Sequence, residues 1–418
     1  MNLPSSPSRL VWPMLLALTS AFTLSQAFRT VAAIMGPPLA QELALSNQQL
    51  GLWAAAFHFS FGIMQLVFGV TIDVFGVRRT ILAAFPVAIL GAVVSALAPG
   101  FQVLLLGQVL IGTGCSPAFL VCTVFIARHF GPERFTPTSG LIMSLSGLGV
   151  LLTATPLAAM IEISSWRWSF GVLALLGIAA WLAIFWRVRE RSLGAHSVQA
   201  PVARPQLKQA FGGLLDLFRL PHTAGLVLYA AVAYAGFITL RGLWLGPVLI
   251  ERHGLTLVQS GNVALLVTLG SMLSPAVFGR IDPGGERRVH WLIGFSLAAA
   301  TLLMGMALTH SLWLDVALPI VYGLLSGYGL LQYGYVHGAY PAAARGRALS
   351  LFTMAMFLGI SLMQWLSGLA ATLAPAAGLD PLSAALATMS LMLVLGGLAF
   401  WKLPRAPGEP VQTPPTRQ

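Results

Sequence analysis

Two arginines, Arg29 and Arg241, stand inside segments otherwise built from apolar residues. A guanidinium is permanently charged, and its planar fork offers two parallel hydrogen bonds to a carboxylate or phosphate. Such a charge is costly in an apolar medium and needs a partner. All twelve acidic residues fall in predicted loops or at segment ends, so none faces either arginine in mid-segment. The chemistry this implies is capture of an anion supplied from outside the chain. Taken alone, Arg29 also fits a side chain that snorkels to a membrane interface; its match with Arg241 favours a shared site. Helical spacing adds further polar and aromatic candidates. Gln26 lies three residues before Arg29, and Tyr234, Phe237 and Trp244 lie on the face of Arg241. His58 and Gln65 are seven apart, and Tyr328, Gln332 and Tyr335 share one face. The expected substrate contacts are Arg29, Arg241, Gln26, Tyr234, Phe237, His58, Tyr328 and Gln332. For the aromatics, helix packing explains the pattern at least as well. His58 is either a hydrogen-bonded packing histidine or a group that exchanges protons near neutrality.

The elements that position these residues are set by composition. The chain has 418 residues, is 57% hydrophobic and only 8% charged. Soluble domains carry about a quarter charged residues, so this is an integral membrane protein. Apolar stretches of roughly 20 residues cross a bilayer as helices. Twelve occur, near 10–35, 48–71, 80–98, 101–127, 137–160 and 168–187, then 222–249, 257–279, 289–309, 312–339, 347–372 and 381–403. With both termini in the cytoplasm, 19 of the 23 Lys and Arg fall on cytoplasmic connections. The net charge of +11 is therefore topology, and no nucleic-acid partner is implied. The N-terminus imitates a signal peptide, with Arg9 before an apolar core and Ser25-Gln26-Ala27 after it. Its pairing with a later segment argues against cleavage. Cys115 and Cys122 lie two helical turns apart, about 10 Å, beyond disulfide reach. Free thiols, no metal site and no cofactor are expected. No nucleotide loop or soluble domain suggests an enzyme. Ser164-Ser165-Trp166-Arg167-Trp168 reads as an interface anchor.

The chain also repeats itself. Asp73-V-F-Gly76-V-Arg78-Arg79 returns as Asp282-P-G-Gly285-E-Arg287-Arg288, 209 residues later. Arg29, Gly36-Pro37 and Leu45-Ser46 return as Arg241, Gly246-Pro247 and Leu255-Thr256. Two related six-helix halves are a transporter signature. The expected division is 1–190 for the N-terminal half, 191–221 for a cytoplasmic linker, 222–403 for the C-terminal half and 404–418 for a tail.

On the loop from Gly69 to Arg79, its copy, the six-plus-six layout and the basic linker, the chain resembles the major facilitator superfamily (MFS) over about residues 10–403. The resemblance implies an all-α, twelve-helix fold in which spans 1, 4, 7 and 10 line a central cavity. It implies a cytoplasmic latch from Gly69, Asp73, Gly76, Arg78 and Arg79, with Asp282 and Arg287 in the copy. Many proton-driven members carry an arginine in span 4 where this chain has Gln108, which weakens a drug/proton antiport mechanism. An arginine eight residues before a proline in span 1, with another in span 7, is similar to organophosphate/phosphate antiporters. The expected function is alternating-access transport of a small organic or inorganic anion, coupled to a proton or a counter-anion, by a monomer in a bacterial inner membrane. The alternatives are a drug-efflux facilitator, which calls for a membrane-embedded acid the sequence lacks, and a transporter-like ligand sensor.

Overall fold

The computed structural model describes residues 11–130, 132–189, 216–283 and 285–405. Among the described residues, twelve helices are long and apolar enough to cross a membrane. Span 1 is Val11–Thr30, span 2 Asn47–Ile72, span 3 Val74–Ala96, span 4 Phe101–His129, span 5 Thr138–Ile163 and span 6 Trp166–Arg187. Span 7 is His222–Arg252, span 8 Leu257–Pro275, span 9 Gly285–Leu308, span 10 Leu312–Val336, span 11 Ala344–Ala377 and span 12 Pro381–Lys402. Helices are the expected answer, because lipid offers no partner to free backbone groups. An even number of crossings leaves both described ends of the chain on one side. The opposite side is the far end of the bundle. Most of the expected linker, 190–215, lies outside the described residues.

The repeat has a backbone signature. Ser46 caps span 2 by accepting from the Gln49 N–H, while the Gln49 side chain accepts from the Ser46 N–H. Thr256 and Gln259 form the same capping box on span 8. These reciprocal bonds satisfy donors that a helix start leaves orphaned. Gly76 and Gly285 both take positive φ, 84° and 48°, a conformation that favours glycine. At Gly76 it turns span 2 into span 3 without a loop. Span 3 therefore begins at Val74, several residues earlier than apolar content alone suggests.

The functional helices are irregular where the arginines sit. Span 1 ends at Thr30, and a separate helix, Ala32–Leu43, follows. Pro37 and Pro38 lie inside that second piece. Proline has no N–H to donate and crowds the carbonyl four residues back. Ala33, four before Pro37, turns its carbonyl to Gly246 of span 7, and a side chain on Gly246 would collide with it. Span 7 answers with two π-helical turns, Leu240–Trp244 and Val248–Arg252, flanking Gly246-Pro247. The Gly-Pro pairs thus break both helices and let them touch.

The halves close on each other at the far end. A methyl on Gly51 of span 2 would stand 3.0 Å from the Gly368 Cα of span 11. One on Gly261 of span 8 would stand 3.1 Å from Thr155 of span 5. Side chains cross these seams to cap helices. The Thr372 hydroxyl accepts from the Gln48 N–H at the start of span 2 (2.7 Å), and Glu162 accepts from the Val258 N–H at the start of span 8 (3.0 Å).

Candidate substrate site

Arg29 occupies the last turn of span 1, just before the break. Its guanidinium carbon lies 5.1 Å from the Phe61 ring centre and 5.0 Å from that of Phe357. These rings come from spans 2 and 11 and are themselves 4.5 Å apart. Arg29 is therefore held against the seam between the halves. Its Nε is buried with no acceptor, and no ion pair reaches it among the described residues. A cation over an aromatic face gains about 0.5–2 kcal/mol. Burying an ion costs several kcal/mol, so the two rings do not replace a counter-ion.

Arg241 lies in the first π-turn of span 7 and is only 4% exposed. Its Nε donates to the Thr268 hydroxyl of span 8 at 2.8 Å. That hydroxyl in turn donates to the Ala264 carbonyl at 2.6 Å, which fixes its lone pair toward the arginine. No carboxylate pairs with Arg241 among the described residues. The two arginines stand on touching helices, since a methyl on Gly242 would lie 3.9 Å from the Arg29 carbonyl.

His58 is 1% exposed. Its Nδ1 faces the Gln364 Oε1 of span 11 at 3.1 Å and the Ala54 carbonyl at 3.3 Å. Both are acceptors, so Nδ1 carries the proton and Nε2 is left as a buried, unpartnered lone pair. The same Phe357 ring lies 6.5 Å from His58 and 5.0 Å from Arg29. Tyr333 of span 10 is 39% exposed and packs edge-on to Phe352 at 5.0 Å. Tyr234 is half-buried. Gln26 is half-buried one turn before Arg29.

Two expected contacts belong elsewhere. The Tyr328 hydroxyl donates to the Ala233 carbonyl at 2.7 Å, and its ring packs with Phe278, Leu292 and Phe400 inside the C-terminal half. Phe237 packs edge-on to Tyr322 at 5.5 Å in the same half. Helical spacing fixes the face each side chain occupies but not the neighbour that face meets. Gln332 is 1% exposed, with neither amide atom partnered. Phe61, Phe357, Gln364, Thr268 and Tyr333 join the site. Only proximity in space reveals them, though Phe357 and Gln364 lie two turns apart on one stretch of span 11.

The latch residues divide. The Asp73 side chain lies outside the described residues. Gly69 faces Leu120 of span 4. Arg78 donates to the Phe185 carbonyl of span 6 at 3.0 Å and sits over the Phe185 ring. Arg79 is exposed. In the copy, Asp282 takes both hydrogen bonds of a fork from Arg288, at 2.9 and 2.8 Å, and Arg287 is exposed. The Asp282 pair is thus made by Arg288, the last residue of the repeated motif.

A family model described as the Major Facilitator Superfamily matches residues 17–362. The chain belongs to that superfamily. Among curated relatives of this MFS chain, a hexuronate transporter of Bacillus subtilis is 25% identical over 61% of the chain and 60% of its own length. A probable L-galactonate transporter of Escherichia coli is 24% identical over 85% of the chain and 82% of its own length. A probable sulfoacetate transporter of Cupriavidus necator is 22% identical over 60% of the chain and 62% of its own length. Among solved structures, a D-xylose–proton symporter superposes with a TM-score of 0.73 at 17% identity, covering 94% of the chain and 97% of that structure. A bacterial homologue of the human lysosomal transporter Spinster gives 0.71 at 19% identity, covering 95% and 96%. The protein is a multi-pass membrane transporter with the twelve-helix MFS fold.

Proposed function

We propose that this transporter carries small organic anions of the sugar-acid kind by alternating access. One observation carries the reading: two arginines, one from each half, stand on the touching central helices and lack a carboxylate among the described residues. The names of the hexuronate, galactonate and sulfoacetate relatives agree in charge. Gln26, Tyr234 and Tyr333 offer polar groups for hydroxyls. His58 supplies a buried acceptor beside Arg29, where a coupled proton would bind; exchange against a counter-anion is the other mode. The seams at Gly51–Gly368 and Thr155–Gly261 form the gate at the far end. Asp73, Arg78 and Arg79 serve the opposite gate. The excess of Lys and Arg on that side supports placing the gate and both termini in the cytoplasm, and a monomer in a bacterial inner membrane completes the proposal.

The test is a thermal melt of the purified protein with D-glucuronate, D-galactonate, sulfoacetate, glycerol 3-phosphate and a cationic drug. A ligand at 100 times its Kd stabilises the native state by about 2.7 kcal/mol. An anion should raise the melt of wild type and fail to raise that of Arg29→Ala or Arg241→Ala. A rise confined to the cationic drug, equal in all three proteins, overturns the reading.

A further inference from the structure

Charge balance narrows the cargo beyond a simple anion, and this narrowing rests on the anion site proposed above. Every arginine–carboxylate pair found among the described residues lies outside that site. Arg167 pairs with Glu42, Arg219 with Asp216, Arg252 with Asp315 and Asp380, and Arg288 with Asp282. None of these carboxylates is left over for Arg29 or Arg241. Two backbone carbonyls of span 4 are also in use. The Cys115 carbonyl takes the Ser25 hydroxyl, and the Ser116 carbonyl takes the Gln65 amide. A monoanion would leave one of the two guanidinium charges without an ionic partner. Two negative charges are needed to balance two guanidinium groups.

The anchors of the two forks decide how those charges are spaced. Arg29 is pinned by Phe61 and Phe357, at the seam of spans 2 and 11. Arg241 is pinned by Thr268 of span 8, on the side where spans 5 and 8 meet. The two anchors thus belong to different helices, on different seams between the halves. A compact single group would have to serve two forks that are held by separate anchors. A ligand with an anionic group at each end would meet both forks where they stand.

We infer that the preferred cargo is a dianion with its charged groups at opposite ends, a dicarboxylate or a carboxylate–sulfonate. One end binds Arg29 and the N-terminal half, and the other binds Arg241 and the C-terminal half. The same molecule then bridges the halves, which no monoanion does with ion pairs at both ends.

A matched series tests this by calorimetry on the purified full chain at pH 7.5. Galactitol, D-galactonate and galactarate share one six-carbon chain and carry zero, one and two charges. Adipate has the two charges without the hydroxyls. Galactarate should bind at least tenfold more tightly than D-galactonate, and galactitol should not bind. Arg241→Gln should remove the advantage of galactarate over D-galactonate, as should Arg29→Gln. The wild-type ranking decides the matter even where a variant fails to fold. D-galactonate binding as tightly as galactarate overturns the dianion while leaving the anion site intact. Adipate and galactarate binding alike, with D-galactonate weak, supports the dianion and removes the sugar-acid reading. Galactitol binding as well as the anions, or no binding by any of the four, overturns both.

Discussion

At the scale of single residues, Arg29 is defined by what surrounds its flat guanidinium. Two neighbouring rings lie to one side of it, and a lysine ammonium cannot reproduce a planar fork set against them. Arg29→Lys keeps the charge and should still weaken binding of the stabilising anion by about tenfold or more, since each charge-assisted hydrogen bond is worth about 1.5–3 kcal/mol. Wild-type affinity in that variant, measured by calorimetry, would remove the two-point contact. Gln364→Leu should remove the hydrogen bond across the seam, leave His58 Nδ1 only the longer Ala54 bond and lower the melting temperature by the worth of one hydrogen bond, about 0.5–1.5 kcal/mol. Arg29 and Arg241 are legible in the sequence because charge in an apolar run is rare and because the two repeat. Tyr328 and Phe237 escape a sequence reading because a helical face names a direction and not a neighbour. Thr268 carries no signal at all: one threonine in an apolar helix resembles any other until Arg241 is seen against it.

Secondary elements are legible wherever local chemistry fixes them. The capping boxes at Ser46 and Thr256 are written in four consecutive residues each, and both form. The positive φ at Gly76 and Gly285 follows from glycine in the repeated loop. The π-turns of span 7 are not legible, because they answer contacts with span 1 that come from the other half. Gly76→Ala should strain the turn between spans 2 and 3, destabilising the protein by about 1–2 kcal/mol, while Gly140→Ala, with open space at its Cβ, should not. At the far end, Glu42 joins span 6 through Arg167 and accepts the Trp166 indole N–H at 2.6 Å. The hydrogen bond from Arg167 holds the Glu42 carboxyl below its ordinary value. A lowered carboxylate pKa means that the stabilisation is present at neutral pH and is lost as pH falls through the folded-state value. The pair is partly exposed, so the effect is modest, about 0.2–1 kcal/mol. Glu42→Gln should melt lower than wild type at pH 7, and the difference should vanish below the carboxylate range. A difference that persists at low pH would assign the loss to the Trp166 contact instead.

For the molecule as a whole, the twelve-span layout and its two halves can be read from apolar length and the repeated loop. The way the halves meet cannot, since it depends on close approaches such as Gly51 to Gly368. Gly51→Val should wedge the seam of spans 2 and 11. Labelling of single cysteines placed along that seam should rise severalfold, and transport should fall by at least tenfold with the helices intact by circular dichroism. Unchanged labelling would show that the seam has slack. Glu162 and Thr372 act on the same seams by capping span 8 and span 2 across the interface. Each such cap contributes about 0.5–2 kcal/mol, so opening the far end exposes two helix starts together.

The far-end ion pairs bear on the history of the chain. Glu42 of the N-terminal half bonds Arg167 at the start of span 6, and Arg252 bonds Asp380 at the start of span 12 at 3.0 Å. The two bonds occupy corresponding places, 210 and 213 residues apart, with their signs exchanged. If the halves descend from one duplicated ancestor, both partners changed in one copy while the bond was retained. Selection then acted on the pairing and not on either residue. Aligning the halves by residue identity therefore scores as a double mismatch a position that has been inherited intact, and a search that credits complementary pairs would recover more of the common ancestry.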